Sequence, residues 1–139
     1  MKHANIKAVF VVLLLCFFTT SCTARIHGYY EDKSNYISAT GTVDRINYDE
    51  DSDGLYFLLS GLSSEFDTDA FRIVGDNVRT VEARGIYEKI EIGDSIAFVT
   101  APRYFGDGYI LPIVAISTSD GEELLSFEEG LPNFLERVE

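Results

Sequence analysis

From Tyr36 to Leu125 apolar residues come in short runs, mostly at every second position, and the runs are separated by glycine, aspartate and proline. Successive side chains of an extended chain point to opposite faces, so this spacing predicts strands rather than helices. In "YISATGTVDRINY", Ile37, Ala39, Gly41 and Val43 share one face; the apolar phase then jumps to Ile46 and Tyr48. A phase jump inside a strand predicts a β-bulge, and Gly41 can ease a bend beside it. "LYFLLSGL" from Leu55 predicts a second strand, apolar on both faces, and "FRIVG" a short third. "YEKIEIGDSIAFVTA" resumes the strand pattern, with Ile96 and Phe98 alternating after a Gly93–Asp94 turn. The run from Tyr109 to Ile116 predicts a fifth strand, closed by Asp120–Gly121; Pro112 inside it lacks an N–H and argues for an edge or a bulge.

Two segments read differently. In "DNVRTVEARG", Asp76 or Asn77 can cap a short helix, Val78 and Val81 share a face, and Gly85 can end it. The tail "FEEGLPNFLERVE" predicts a short helix beginning at Pro132. The expected core gathers Val43, Phe57, Leu59, Ile73, Ile96, Phe98 and Val114 into one cluster.

The order strand, strand, strand, helix, strand, strand resembles the OB-fold, a small five-stranded Greek-key barrel. The resemblance is carried by the glycine-bearing first strand around Gly41, the helix between the third and fourth strands, and "EIGDSIAF", Glu91 to Phe98. It covers Tyr36 to about Leu125. It implies a mainly β chain: a closed or nearly closed five-stranded barrel, one short helix between strands 3 and 4, and a short C-terminal helix.

The N-terminus points to the compartment. "MKHANIK" carries Lys2 and Lys7, an apolar run follows from Ala8 to Phe18, and "TTSC" ends at Cys22. Basic start, short apolar middle and small residues make a secretory signal peptide. The run is shorter than the roughly 20 apolar residues a membrane-crossing helix needs. Thr20, Ser21 and Cys22 resemble the lipobox of bacterial lipoproteins, which implies cleavage before Cys22 and lipid on it; Thr19 departs from the leucine usual there. Cleavage after Ala24 is the alternative. The chain then divides into a signal peptide (1–21), a flexible tether (22–35) and a folded domain (36–139). Taken whole, it resembles small bacterial lipoproteins that carry one OB-like domain. That resemblance implies a lipid-anchored protein on the extracytoplasmic face of the cell membrane, with no catalytic role.

Charge narrows the partners. The chain has 11 basic and 23 acidic residues; losing Lys2 and Lys7 with the signal leaves 9 against 23, a formal charge of −14. Such a domain repels phosphates, so nucleic acid is not an expected partner, and lipid rather than the protein surface would hold it at the membrane.

Two loops are candidates for binding. "DEDSDG" places Asp49, Asp51 and Asp53 at alternate positions before Gly54, and Leu55 can add its carbonyl. Alternate carboxylates around a tight turn suit Ca²⁺, which takes oxygen ligands. Ser60 stands where an EF-hand has its closing Glu, and both flanks read as strands, so an EF-hand is excluded. A looser calcium loop would need a further ligand, such as Glu50 or Asp107, and without one its affinity should be weak. The competing reading is a plain hairpin turn. The second loop, "APRYFGDGYILP" at 101–112, carries Arg103, Tyr104, Phe105 and Tyr109, residue types that stack on sugars or anchor protein partners. Its Tyr104 and Phe105 can equally fold back over the core. His3 lies in the signal and His27 in the tether, and no cysteine lies in the domain, so nucleophile pairs and Cys/His zinc sites have no components there.

Two functions are consistent with these features. One is a tethered, non-catalytic module that binds a protein or saccharide on the 101–112 loop. The other is a structural or accessory envelope lipoprotein with a weak calcium loop at 49–55. The lipobox reading makes a direct forecast: Cys22→Ser should release the protein from the membrane fraction or stall its processing. Unchanged partitioning of that variant into the detergent phase would refute it.

Overall fold

The computed structural model describes residues 24–103 and 110–138. Among them are seven strands, β1 (Ile37–Asp49), β2 (Gly54–Ser60), β3 (Ala70–Val74), β4 (Ser95–Thr100), β5 (Ile110–Pro112), β6 (Ala115–Ser117) and β7 (Glu123–Leu125). Four helices accompany them: α1 at residues 24–31, α2 (Asp76–Ala83), α3 (Ile86–Lys89) and α4 (Phe127–Val138). The strands form one mixed sheet in the order β5-β3-β2-β1-β4-β6-β7.

The chain is mainly β, as its alternation predicts. β1 is the spine: its first half pairs with β4 and its second half with β2, both antiparallel. The register slips between Val43 and Arg45, where the apolar phase jumps. A Cβ on Gly41 would lie 3.0 Å from Leu62, so glycine lets the bent strand pass close to its neighbour.

The expected five strands are seven, and their hydrogen-bonded order is open. The cause lies in the run from Tyr109 to Ile116. Ile113 N–H donates to the Arg72 carbonyl at 2.8 Å, while Val114 N–H donates to the Val99 carbonyl at 3.0 Å. Consecutive residues thus bond to opposite neighbours. β5 lies parallel to β3 at the sheet edge, where Pro112 needs no donor on its outer side. β6 lies antiparallel to β4, and β7 folds back onto β6 after the Asp120–Gly121 turn.

The same crossing divides the core. Val43, Phe57, Leu59, Ile73, Ile96 and Phe98 pack in one cluster, as expected, together with Phe71 and Ile113. Val114 does not join them. It faces a second cluster, with Tyr30, Val74, Ala101, Leu131 and Phe134. Neighbouring residues of an extended chain face opposite ways, so Ile113 and Val114 serve different cores.

The helices bring further corrections. Gly75, with φ 63°, precedes α2 without a side-chain cap, so neither Asp76 nor Asn77 caps it. Asn77 is fully buried instead: its Nδ2 donates to the Gly130 carbonyl at 2.8 Å, and its Oδ1 accepts from Asn133 at 3.0 Å. Tyr87–Lys89, read as strand, lie in α3, which Gly85 starts from a left-handed conformation (φ 80°). α4 begins at Phe127, five residues before Pro132. Ser126 Oγ accepts from Glu129 N–H at 3.1 Å, while the Glu129 carboxylate accepts from Ser126 N–H at 3.2 Å; this reciprocal capping box starts the helix. Residues 24–35, read as tether, form α1 and a 3₁₀ turn (Lys33–Asn35). Ile26, Tyr29 and Tyr30 give that segment an apolar side, and Tyr30 packs edge-on against Phe134 with ring centroids 5.0 Å apart.

A Cβ at Gly130 would sit 1.8 Å from the Val114 carbonyl oxygen, so α4 presses directly on the strand backbone. At a free helix position Gly→Ala stabilises by about 1 kcal/mol. Overpacking costs about 1–3 kcal/mol and occasionally more. The sign therefore reports the contact: Gly130→Ala should destabilise by about 2 kcal/mol or more in urea denaturation. A stabilised variant would show that α4 does not rest on Val114.

Candidate functional site

Asp49 pairs with Gly54 across β1 and β2, so "DEDSDG" closes a β-hairpin. The loop does not gather its acids around one point. Asp49 accepts from the Ser52 hydroxyl at 2.7 Å and from Asp51 N–H at 3.3 Å. Asp53 adopts a left-handed conformation, φ 50°, which aspartate tolerates better than most residues. Its carboxylate meets Arg79 of α2 through two hydrogen bonds, Nη1 to Oδ1 at 2.7 Å and Nη2 to Oδ2 at 2.6 Å. The Tyr48 hydroxyl adds a third at 2.9 Å. Hydrogen bonds from Arg79 and then Tyr48 hold the Asp53 carboxyl down at about 2. The same hydrogen bond to Asp53 raises the Tyr48 phenol.

A cation at Asp53 would therefore compete with a guanidinium already in place. Among the described residues no three His, Cys, Asp or Glu side chains are grouped to hold a metal. Leu55 is fully buried in the main core, and its backbone belongs to the β2–β3 pairing opposite Ile73. Asp107 lies outside the described residues.

Of the 101–112 loop, Arg103 is described; Tyr104, Phe105 and Tyr109 lie outside the described residues, as does Cys22. Arg103 N–H donates to the Tyr29 hydroxyl at 3.1 Å, and its guanidinium carbon lies 5.7 Å from the centre of the Tyr29 ring. The root of the loop is thus pinned to α1. Between them opens a cleft of about 610 Å³ lined by Arg25, Gly28, Tyr29, Asp32, Asn35 and Arg103. Asn35 Nδ2 donates to the Tyr29 carbonyl at 2.8 Å, and Asp32 accepts from the Ser34 hydroxyl at 2.6 Å and amide at 3.0 Å. Those bonds, the hydroxyl first, hold the Asp32 carboxyl below its usual range. Among the described residues its lining offers cations, an aromatic ring, an amide and a carboxylate.

Sequence reasoning missed Arg25 and Tyr29, because the segment around them has no sustained period. It also missed Arg79, whose pairing with Asp53 spans 26 positions and leaves no local trace. The Ser126–Glu129 spacing, by contrast, is a legible helix-start signal.

No family model, curated protein or solved structure matches the chain. No described helix is long and apolar enough to cross a membrane.

Asp53 and Glu129 both titrate below their ordinary values of 3.8 and 4.5, each at about 2, with an arginine hydrogen bond as the leading cause. A carboxyl depressed by folding stabilises the fold above its ordinary value and loses that contribution as pH falls through its folded value. The melting temperature should therefore drop as pH goes from about 4.5 to about 2. Asp53→Asn with Glu129→Gln should flatten that drop. An equally steep drop in the double variant would assign acid lability to other carboxyls.

Proposed function

We propose that the protein is a lipid-anchored, extracytoplasmic, non-catalytic binding module that takes a protein or saccharide ligand at the cleft between α1 and the root of the 101–112 loop. The observation that carries this reading is the pinning of Arg103 to Tyr29. It fixes a cation and an aromatic face at the mouth of one cleft. Exposed aromatics and arginine are the usual anchors of such interfaces. The anchor rests on the lipobox at Cys22, two positions before the first described residue of α1.

The finer fold belongs to the same proposal: an OB-like barrel whose fifth strand is broken in two. Three antiparallel strands in sequence, β1 with β4, and β3 parallel to the first half of the 110–117 run all agree with it. The second half of that run pairs with β4. One run thus bonds to both free edges of the other four strands. In an OB-fold the loop between the last two strands flanks the ligand face, which is where Arg103 lies.

The test uses the full chain immobilised in detergent and exposed to solubilised envelope proteins and, separately, to peptidoglycan fragments. Wild type should retain a ligand from one pool, and Arg103→Ala with Tyr104→Ala and Phe105→Ala should lose it. Equal retention by the triple variant would sink the proposal.

A further inference from the structure

A second cleft, of about 480 Å³, opens on the other side of α1, under α4. Its floor is the outward face of β3. Phe71 and Ile73 point into the main core, so Arg72 and Val74 point out into the cleft. Tyr30 of α1 and Phe134 of α4 close the floor; these two and Val74 are each under 10% exposed, so it is rigid. Arg137 stands at the rim. Its stem packs over Gly75, where a Cβ would lie 3.1 Å from Arg137 Cγ, and its Nη2 donates to the Ser52 carbonyl at 3.1 Å.

Both guanidiniums line the same cleft. Arg79, Arg84 and Lys89 each meet a carboxylate. Arg72 is half-buried and makes no ion pair and no side-chain hydrogen bond with the described residues. Arg137 makes no ion pair among them either, although Glu136 also lines the cleft. A chain with 23 acids against 11 bases has carboxylates to spare. Yet among the described residues neither of the two cations in this cleft is in salt-bridge contact with a carboxylate, although Arg137 is close enough to Asp53 to help lower its carboxyl. A partly desolvated charge without a counter-charge is costly, and two like charges on one cleft add repulsion. An anion bound between them relieves both costs. A guanidinium fork matches the planar carboxylate and the phosphate head alike.

We infer that this cleft binds a small anionic amphiphile, with a carboxylate or phosphate head between Arg72 and Arg137 and a short apolar body against Val74, Tyr30 and Phe134. The cleft volume suits a small molecule rather than a long acyl chain or a polymer. The inference rests neither on the lipid anchor nor on the 101–112 loop.

The test is isothermal titration of the full chain in phosphatidylcholine nanodiscs, with the heat from empty nanodiscs subtracted. The probes are hexanoate, hexyl phosphate and neutral hexanamide. One or both anions should bind one-to-one, and hexanamide should bind at least about tenfold more weakly, the size expected for losing one charge-assisted hydrogen bond. The tighter anion identifies the head group. Arg72→Gln and Arg137→Gln should each weaken the anion about tenfold or more, while Arg45→Gln, outside the cleft, should leave it unchanged. Arg137 is exposed, so its variant keeps the test open if Arg72→Gln lowers the melting temperature. No saturable heat from either anion, equal binding of hexanamide, or unchanged affinity in folded Arg137→Gln overturns the inference.

Discussion

The molecule depends on one close approach, that of α4 to the strand backbone at Val114. The chain there passes from β3 to β4, and its backbone turns from one neighbour to the other within two residues. Gly130 lets α4 settle on this crossing with no side chain between. With the helix that low, the Gly130 carbonyl is within reach of buried Asn77, and Leu131 and Phe134 extend the second apolar cluster. A buried amide is tolerable only when its partners are met, and Asn77 has both a donor and an acceptor on α4. This junction helps fix α2, α4 and the sheet relative to one another, and the cleft under α4 is lined by that same helix.

Charge plays a different part from the one its sign suggests. Three acids act as staples between elements: Asp53 ties the β1–β2 hairpin to α2, Glu129 ties α4 to the end of α2, and Glu122 ties the β6–β7 turn to α3. Exposed pairs of this kind contribute about 1 kcal/mol or less each, so they align surface elements rather than carry the fold. Three cations are taken up in this way; Arg72 and Arg137 line one cleft, and Arg25 and Arg103 line the other.

What was legible in the sequence was whatever depends on neighbours along the chain. The strands around Ile37–Val43, Leu55–Leu59 and Ile96–Phe98, the bulge after Val43, the hairpin at Asp49–Gly54 and the edge position of Pro112 follow from alternation and turn chemistry. The start of α4 was legible too, in Ser126 and Glu129, but the more familiar signal at Pro132 drew attention from it. Other features had no local signature. A continuous apolar run gives no sign that Ile113 and Val114 bond to different strands. Nothing near Asp53 marks Arg79 as its partner. The segment 24–35 looks polar because only Ile26, Tyr29 and Tyr30 are apolar, and a helix that docks along one edge needs no more. Asn77 has the chemistry of a cap and the position of a core residue, and packing against Gly130 decided between them.

The edge-on contact of Tyr30 with Phe134 joins the first described helix to the last. A chain synthesised from its N-terminus delivers Ile26, Tyr29 and Tyr30 well before the surface that covers them exists. The second cluster cannot close until residues past Leu131 have followed. Order of arrival thus becomes a timing device. The leading segment stays uncovered for as long as the tail is still being made.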